Sequence, residues 1–514
     1  DLWKKLFITF KLVRDGNNLL GVNSFNGSLF KDENLAIIIG KNLSVTNDIV
    51  IRVIRLLTTF KDANIRQKIN FSIEEEEIGS IYESLLDLKP HLASSSEFKL
   101  MSQTMERKST GSYYTPKPLI DILIRTTLQP LVEDKLKKAG NDLDKRKKVI
   151  LDLKVCDPAC GGGTFLLSAL DFLGKKLAEV KTSSDSPLEV DLREARREIL
   201  QHCIYGVDVN PLAVELAKIS LWLRACVKNK PLNFLDNHIR CGNSLIGLGQ
   251  KTEISDIDPA AFKAISGNPS TAIPKENTKL QNMARKIIRD EIKEQMKSER
   301  RITTITAFMT DNRTADICST KFQEIVDMSE SDPEEIKKKE DKYGELRKNE
   351  NYLQALNEAN IWTSAFFWPF EGTTLGEIPR YTTIEQLRNK SADPELLNLM
   401  EKINIITKEN QFFHWYIEFP EVFSTERGGF DCILTNPPWE TLQLKENEYF
   451  AGLNNEIIKA KNQSERRRLI IALNETNPEL FNKYKNAWKN SKKFSYFLKT
   501  SQFFNLTARG TINT

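Results

Sequence analysis

The run Asp157-Pro158-Ala159-Cys160-Gly161-Gly162-Gly163-Thr164-Phe165 decides the fold. It follows an apolar stretch, residues 149–155, that reads as a buried strand, and it opens a helix predicted from Thr164 to about Val180. Strand, glycine turn and helix in that order form the ligand-binding corner of a doubly wound parallel sheet. Glycines let the backbone approach the ligand, the helix N-terminus offers free N–H groups, and a carboxylate at the strand end can hold a cation. No lysine follows the glycines, which excludes a phosphate-cradling Walker loop, and the spacing is not G-x-G-x-x-G. A second strand is predicted at 204–207, a second helix from Pro211 to about Cys226, and the strand pattern resumes only at 430–435. This alternation predicts an α/β class, a Rossmann-like doubly wound sheet.

Each strand end carries a candidate. Asp157, with the amides of the glycine turn, suits a ligand bearing both an ammonium and a carboxylate, such as the methionine end of S-adenosylmethionine. Asp208, in Gly206-Val207-Asp208-Val209-Asn210-Pro211, is placed to accept from two ribose hydroxyls; its competing reading is a helix N-cap. In Cys241-Gly242-Asn243-Ser244-Leu245, Asn243 could bond an adenine edge, although alone this is a turn. The last strand runs into Asn436-Pro437-Pro438-Trp439. Two prolines remove two donors, so the Asn436 side-chain oxygen and the Pro437 carbonyl can both accept from one exocyclic amine. Trp439 offers a face on which a flipped base stacks.

This series resembles the amino-group DNA methyltransferases in the γ arrangement. It is most similar to the large adenine methyltransferases of type IIG restriction–modification enzymes and of phage-defence systems such as BREX and DISARM. The upstream element of that family is matched by Thr110-Gly111-Ser112-Tyr113-Tyr114-Thr115-Pro116, and 79–83 (Gly-Ser-Ile-Tyr-Glu) is also similar. The resemblance implies S-adenosylmethionine as cofactor, bound by Tyr114, Thr115, Pro116, Asp157, Ala159, Gly161, Gly163, Phe165, Asp208, Asn210 and Asn243. It implies N6-adenine methylation of double-stranded DNA by direct in-line transfer, with Asn436, Pro437, Pro438 and Trp439 catalytic. Gly162 stands where serine is usual and Asn243 where many relatives carry aspartate. The later catalytic strands and a target-recognition domain are absent or barely begun at 494–514, and with no initiator methionine the chain reads as part of something longer.

Composition agrees with a soluble multi-domain enzyme. The 514 residues are 40% hydrophobic and 28% charged, and 74 Lys+Arg against 70 Asp+Glu leave +4. That total excludes a uniformly basic nucleic-acid coat and allows only local patches. Seven cysteines without paired spacing indicate a reduced, cytoplasmic protein, Cys160 and Cys432 being read as buried and inert. No apolar run is long enough to span a bilayer, so no membrane partner is expected. Four regions are expected: a mostly helical segment, 1–105; the cofactor half, 106–248, with a lysine-rich loop at 135–148; a charged helical insertion, 249–408; and the catalytic half, 409–514. The insertion reads as long solvated helices, or as an arm that clamps DNA.

Asp87 with Glu97-Phe98-Lys99 has the residue order of a metal-dependent nuclease, but at loose spacing, and the histidines form no credible metal set. Basic clusters at Lys459, Lys461 and 466–468, and at Lys483, Lys485, Lys489, Lys492 and Lys493, are either solvated helix faces or phosphate contacts. Residues 414–420 are expected to pack the sheet edge. Other readings remain open: N4-cytosine, RNA-base or protein-glutamine methylation, and a modification subunit active only with other subunits of a restriction or defence system.

Overall fold

The computed structural model describes residues 2–20, 22, 45–62, 65–68, 88–94, 97–102, 115–228 and 230–249, short stretches between 257 and 273, then 278–299, 319–370, 375–390, 393–424, 427–438, 444–501, 503–504 and 507–508. The N-terminal region is not helical throughout. Helices Leu2–Asp15 and Asn47–Thr58 are followed by two antiparallel pairs, β1 (Thr59–Asp62) with β2 (Ile65–Lys68) and β3 (Leu88–Ser94) with β4 (Glu97–Ser102). Pro90 within β3 is tolerated because each strand of a two-stranded pair is an edge. Asp87 lies outside the described residues.

The central sheet has four described strands: β5 (Val155–Asp157), β6 (Ile204–Asp208), β7 (Ile239–Cys241) and β8 (Cys432–Ile433). Their order is β7-β6-β5-β8 and every pairing is parallel, with Val155 opposite both Ile204 and Cys432. All four carboxyl ends therefore share one edge. The strand predicted at 149–155 is corrected: helix Leu143–Leu151 occupies most of it, and β5 begins only at Val155. Asp142 caps that helix, accepting from the Asp144 and Lys145 amides at 3.0 and 3.1 Å, so a local cap overrides the strand-like run. The lysine-rich 135–148 is likewise mostly helical, Gln129–Ala139 and Leu143–Leu151 being separated at Gly140, whose φ is +68°.

Alternation along the strands divides two apolar faces. Val155 and Ile204 face helix Thr164–Thr182, whose Leu166, Leu170 and Leu173 are fully buried. Gly206 is on this face, where a Cβ would come 2.8 Å from Leu166 Cδ1, so only glycine lets the helix lie this close. Cys156, Tyr205 and Val207 face the other way, onto Phe413, Phe419 and Val422. The 413–423 segment thus covers the second face of the sheet, whereas 414–420 was expected to pack at its edge. A parallel sheet buried on both sides needs such near-continuous apolar strands.

Among the described residues between β7 and β8, the apolar side of 319–370 is packed rather than solvated. Helices Pro333–Lys348 and Glu350–Phe367 contribute Tyr343, Tyr352 and Ala359 to one core with Phe234, Leu248 and Ile417, while Ile361, Phe366 and Trp368 join Ile246 and Phe497 in another. Lys339 is fully buried, donating to Glu330 Oε1 at 2.6 Å and to the Val326 carbonyl at 3.1 Å. Arg240 of β7 and Arg347 of the segment converge on Glu418 Oε2 at 2.6 and 2.7 Å. Against the burial that opposes it, this double pairing holds the Glu418 carboxyl down at about 2. A charged sequence with apolar residues every three or four positions suits a free helix and a docked one equally; the facing partner decides.

Candidate active site

At the β5 end, Asp157 is 1% exposed and its Oδ1 accepts the Ala159 amide at 3.0 Å. Burial pushes its carboxyl up to about 7, against the Thr435 hydroxyl and the Ala159 amide that favour ionisation, and the nearby Asp208 charge adds to the rise. Asp208 ends β6 and accepts from Gly161 N through Oδ2 and from Asn210 N through Oδ1, both at 2.8 Å. Its carboxyl is also raised by burial, although those two amides oppose the shift. Asp208 is not the cap of the next helix. That role falls to Asn210, which accepts from Leu212 N at 3.0 Å at the head of Pro211–Ala225.

The glycine turn closes this corner. Gly163, at φ +90°, would place a Cβ 3.2 Å from Ala217 Cβ, so the turn can pass under the second helix only as glycine. Gly161, at φ +51°, has nothing within 4 Å of the equivalent position, which leaves open space beside the turn. A buried and a half-buried carboxylate, both raised, facing an open glycine turn form a corner suited to a cationic ligand with hydroxyls. Each Asp208 oxygen keeps a further lone pair after its amide bond. Phe165 lies buried in the main core beneath the turn.

Asn243, after β7, donates its backbone N–H to the Gln411 carbonyl at 2.7 Å and accepts Leu245 N on Oδ1 at 3.0 Å. Gln411 Nε2 also bonds the Val209 carbonyl at 2.9 Å, tying the β6 and β7 ends together. Sequence reading missed Gln411, and nothing local to it signals this role. Thr435 was missed too, although its place beside Asn436 at the end of β8 was a usable signal.

At the β8 end, Asn436 Nδ2 donates to Thr115 Oγ1 at 3.0 Å, across 321 positions of sequence. Thr115 and the Asn-Pro-Pro run therefore meet at the edge that carries Asp157 and Asp208. Pro116, exposed, takes the N-cap position of helix Lys117–Leu123. Pro437 and Pro438 are half-buried beside Asn436. Tyr114 and Trp439 lie outside the described residues. Cys160 and Cys432 are buried, and burial raises both thiols, as inert cysteines require.

The basic clusters divide. Lys489 and Lys493 are buried, and Lys493 Nζ donates to the Phe367 and Trp368 carbonyls at 3.1 and 2.7 Å, closing a helix C-terminus. Lys459, Lys461, Arg468 and Lys492 are exposed. Among the described residues no group of three His, Cys, Asp or Glu side chains could hold a metal ion, and no helix is long and apolar enough to cross a membrane.

The N-6 DNA Methylase family model matches residues 76–298. RM.MjaORFECS2P of Methanocaldococcus jannaschii, named as a restriction enzyme and methyltransferase, is 28% identical over 266 residues, 43% of this chain and 21% of that protein. The type II restriction enzyme and methyltransferase RM.Eco57I of Escherichia coli is 29% identical over 226 residues, 39% of this chain and 22% of that protein. The adenine-specific methyltransferase PglX of Streptomyces coelicolor is 28% identical over 153 residues, 28% of this chain and 11% of that protein. The chain matches about a fifth of the length of the first two relatives. The model described as Eco57I restriction-modification methylase matches residues 202–511, more than half of the chain, and the protein belongs to that family.

Proposed function

We propose that this chain carries S-adenosylmethionine-dependent methylation of the N6 amine of adenine in double-stranded DNA, in the cytoplasm, within a restriction–modification or phage-defence system. The observation that carries this reading is the meeting of Asn436 with Thr115 on the sheet edge that also presents Asp157 and Asp208. The cofactor, when bound, supplies an electrophilic methyl group.

The chain's residues divide the remaining work. Asp157 takes the ammonium, the turn from Ala159 through Gly161 to Gly163 lines the pocket, and Asp208 accepts the ribose hydroxyls. Asn243 and Asn210 border the adenine side, Phe165 supports the turn from below, and Tyr114, Thr115 and Pro116 close the pocket. Asn436 Oδ1 and the Pro437 carbonyl accept from the N6 amine of a flipped adenine, Pro438 keeps the backbone rigid, and Trp439 stacks on the base. Two acceptors on one amine turn its lone pair toward the methyl group, and being pre-set they need no reorganisation during the reaction. An amine made nucleophilic in this way needs no covalent enzyme intermediate, consistent with buried, inert Cys160 and Cys432. Exposed Lys459, Lys461 and Arg468 are suited to phosphate contact. The relatives named as restriction enzymes support partners that cut DNA or recognise the target, on the same polypeptide or another.

The test is tritiated methyl transfer from S-adenosylmethionine to duplex DNA, single-stranded DNA, tRNA and protein extract. Label in the N6 position of duplex DNA is expected; label in protein or RNA with none in DNA would overturn the reading.

A further inference from the structure

We infer that Gln411 is a positioning residue for the ribose end of the cofactor, acting on Asp208 through the peptide that joins Val209 to Asn210, an inference resting on the methyltransferase reading above. The direct bond to the Asp208 carboxylate is local, from Asn210 N to Oδ1 at 2.8 Å. What lies behind that amide is not. The carbonyl of the same peptide belongs to Val209, and it accepts from Gln411 Nε2 at 2.9 Å, across 202 positions of sequence. A carbonyl only accepts, so the NH2 end of the Gln411 amide must face it. Peptide groups are planar and trans, with C=O and N–H pointing to opposite sides, so a donor that holds the oxygen also aims the hydrogen. The line from Gln411 through that peptide ends on the carboxylate assigned to the ribose hydroxyls, and each bond polarises the next.

The backbone at Gln411 points the same way. Helix Pro394–Asn410 ends in a turn in which Gln411 N donates to the Lys408 carbonyl at 3.4 Å and Phe412 N to the Thr407 carbonyl at 3.2 Å. The residue that closes such a turn is left-handed and most often glycine, yet Gln411 stands there at φ +50°, with the steric cost of a Cβ. Glycine would close the helix with less strain and would leave the Val209 carbonyl only the Cys241 thiol, a weak donor, at 3.7 Å. The helix is seated by Leu399, Ile403 and Ile406 in the core shared with Ile246, and the Gln411 carbonyl accepts Asn243 N at 2.7 Å. The side chain therefore starts from a fixed point, and a helix inserted between β7 and β8 reaches the cofactor corner through it.

Gln411→Gly, Gln411→Met and Gln411→Lys are compared by calorimetry with S-adenosylhomocysteine and with its 2′,3′-dideoxy analogue, which offers Asp208 no hydroxyl. Gln411→Gly is expected to weaken S-adenosylhomocysteine about fivefold, the worth of one oriented hydrogen bond, and to change binding of the analogue by less than about 1.5-fold. In methyl transfer to DNA the KM for S-adenosylmethionine should rise by a similar factor while kcat at saturating cofactor holds. The urea midpoint should stay or rise, because glycine suits the left-handed turn. Gln411→Lys keeps a donor of similar reach and should bind S-adenosylhomocysteine within about twofold of the parent. If Gln411→Gly does not fold, Gln411→Met takes its place, since it keeps the length and the backbone bonds and lacks the donor. Equal losses for the two ligands, or no loss for either, would overturn the inference, as would a fall in kcat at unchanged KM. A parent protein that binds S-adenosylhomocysteine no better than the dideoxy analogue, or binds neither, fails the ribose role of Asp208 and the cofactor reading with it. A parent that prefers the hydroxylated ligand, with the same preference in Gln411→Gly, fails the positioning inference alone.

Discussion

The two ends of the site are held by different means. At the β5 and β6 ends, Asp157 and Asp208 are fixed by backbone amides two residues away, at Ala159 and Asn210, and by the glycine turn that a single stretch of sequence encodes. At the β8 end, Asn436 is followed by two prolines that offer no amide and its side chain reaches Thr115, 321 positions away, while Asp431 pairs with Lys135, 296 positions away. The proposed cofactor corner is local and the proposed catalytic corner is assembled. Damage to the first should therefore act on binding, and damage to the second on turnover or on docking of the distant segments.

Asn436→Ala should break the comparison most sharply, lowering kcat by about 1000-fold or more while sinefungin still binds, because two pre-set acceptors are reduced to one. Loss of cofactor affinity in step with turnover would instead mean that the two corners are one unit.

Lys339→Met probes assembly at a distance from both corners. It leaves Glu330 buried without its ammonium and should cost about 3–5 kcal/mol in urea unfolding. Burial already holds the Lys339 ammonium pKa below its usual value, the Glu330 charge opposing the shift, so the double variant Lys339→Met with Glu330→Gln should recover most of the loss. An undiminished midpoint in the single variant would show that this pair does not hold the 319–330 stretch against helix Pro333–Lys348.

Asp157 sharpens the comparison through pH. Its raised value of about 7 means that the free protein holds a proton there below neutrality, whereas an ammonium needs the ionised form. Sinefungin affinity should rise about fivefold between pH 6 and pH 7 and level off above about pH 8, and Asp157→Asn should lower affinity and flatten the profile. The sign for stability is opposite. The folded carboxyl binds its proton more tightly than the unfolded one, so this group favours folding at acid pH and its contribution is lost as pH rises through about 7. Bound ligand should cancel that loss, which melting curves at pH 5.5 and 8 with and without sinefungin would measure.

The smallest effect is expected from Lys135→Met. Its ion pair with Asp431 is partly solvated, and Arg427 and the Lys154 amide also hold that carboxylate, so about 0.5–1 kcal/mol of stability is at stake. A larger loss of turnover than of stability would extend the assembled character of the catalytic corner to the far end of β8.

What was legible in the sequence follows the same division. The glycine turn, the carboxylates at two strand ends and the Asn-Pro-Pro motif were readable because each is a short run whose local geometry is dictated by its own residues. The register of 143–151 was not, since β-branched and apolar residues alone suit strand and helix alike, and the Asp142 cap tipped the balance. The docking of 319–367 was hidden because a charged, periodic helix looks the same whether its apolar stripe meets water or Phe234 and Leu248.

By itself the sequence determined the parallel sheet class, the chemical identity of the groups at its edge and their order along the chain. Only the tertiary structure decided that Thr115 holds Asn436, that Gln411 joins the β6 and β7 ends, and that Lys339 and Lys493 are structural cations rather than solvated ones. The physical reason is range. Turns, caps and proline constraints act over a few residues and are written where they act, whereas a side-chain hydrogen bond or a buried charge takes its meaning from a partner that the chain brings up only when it is folded.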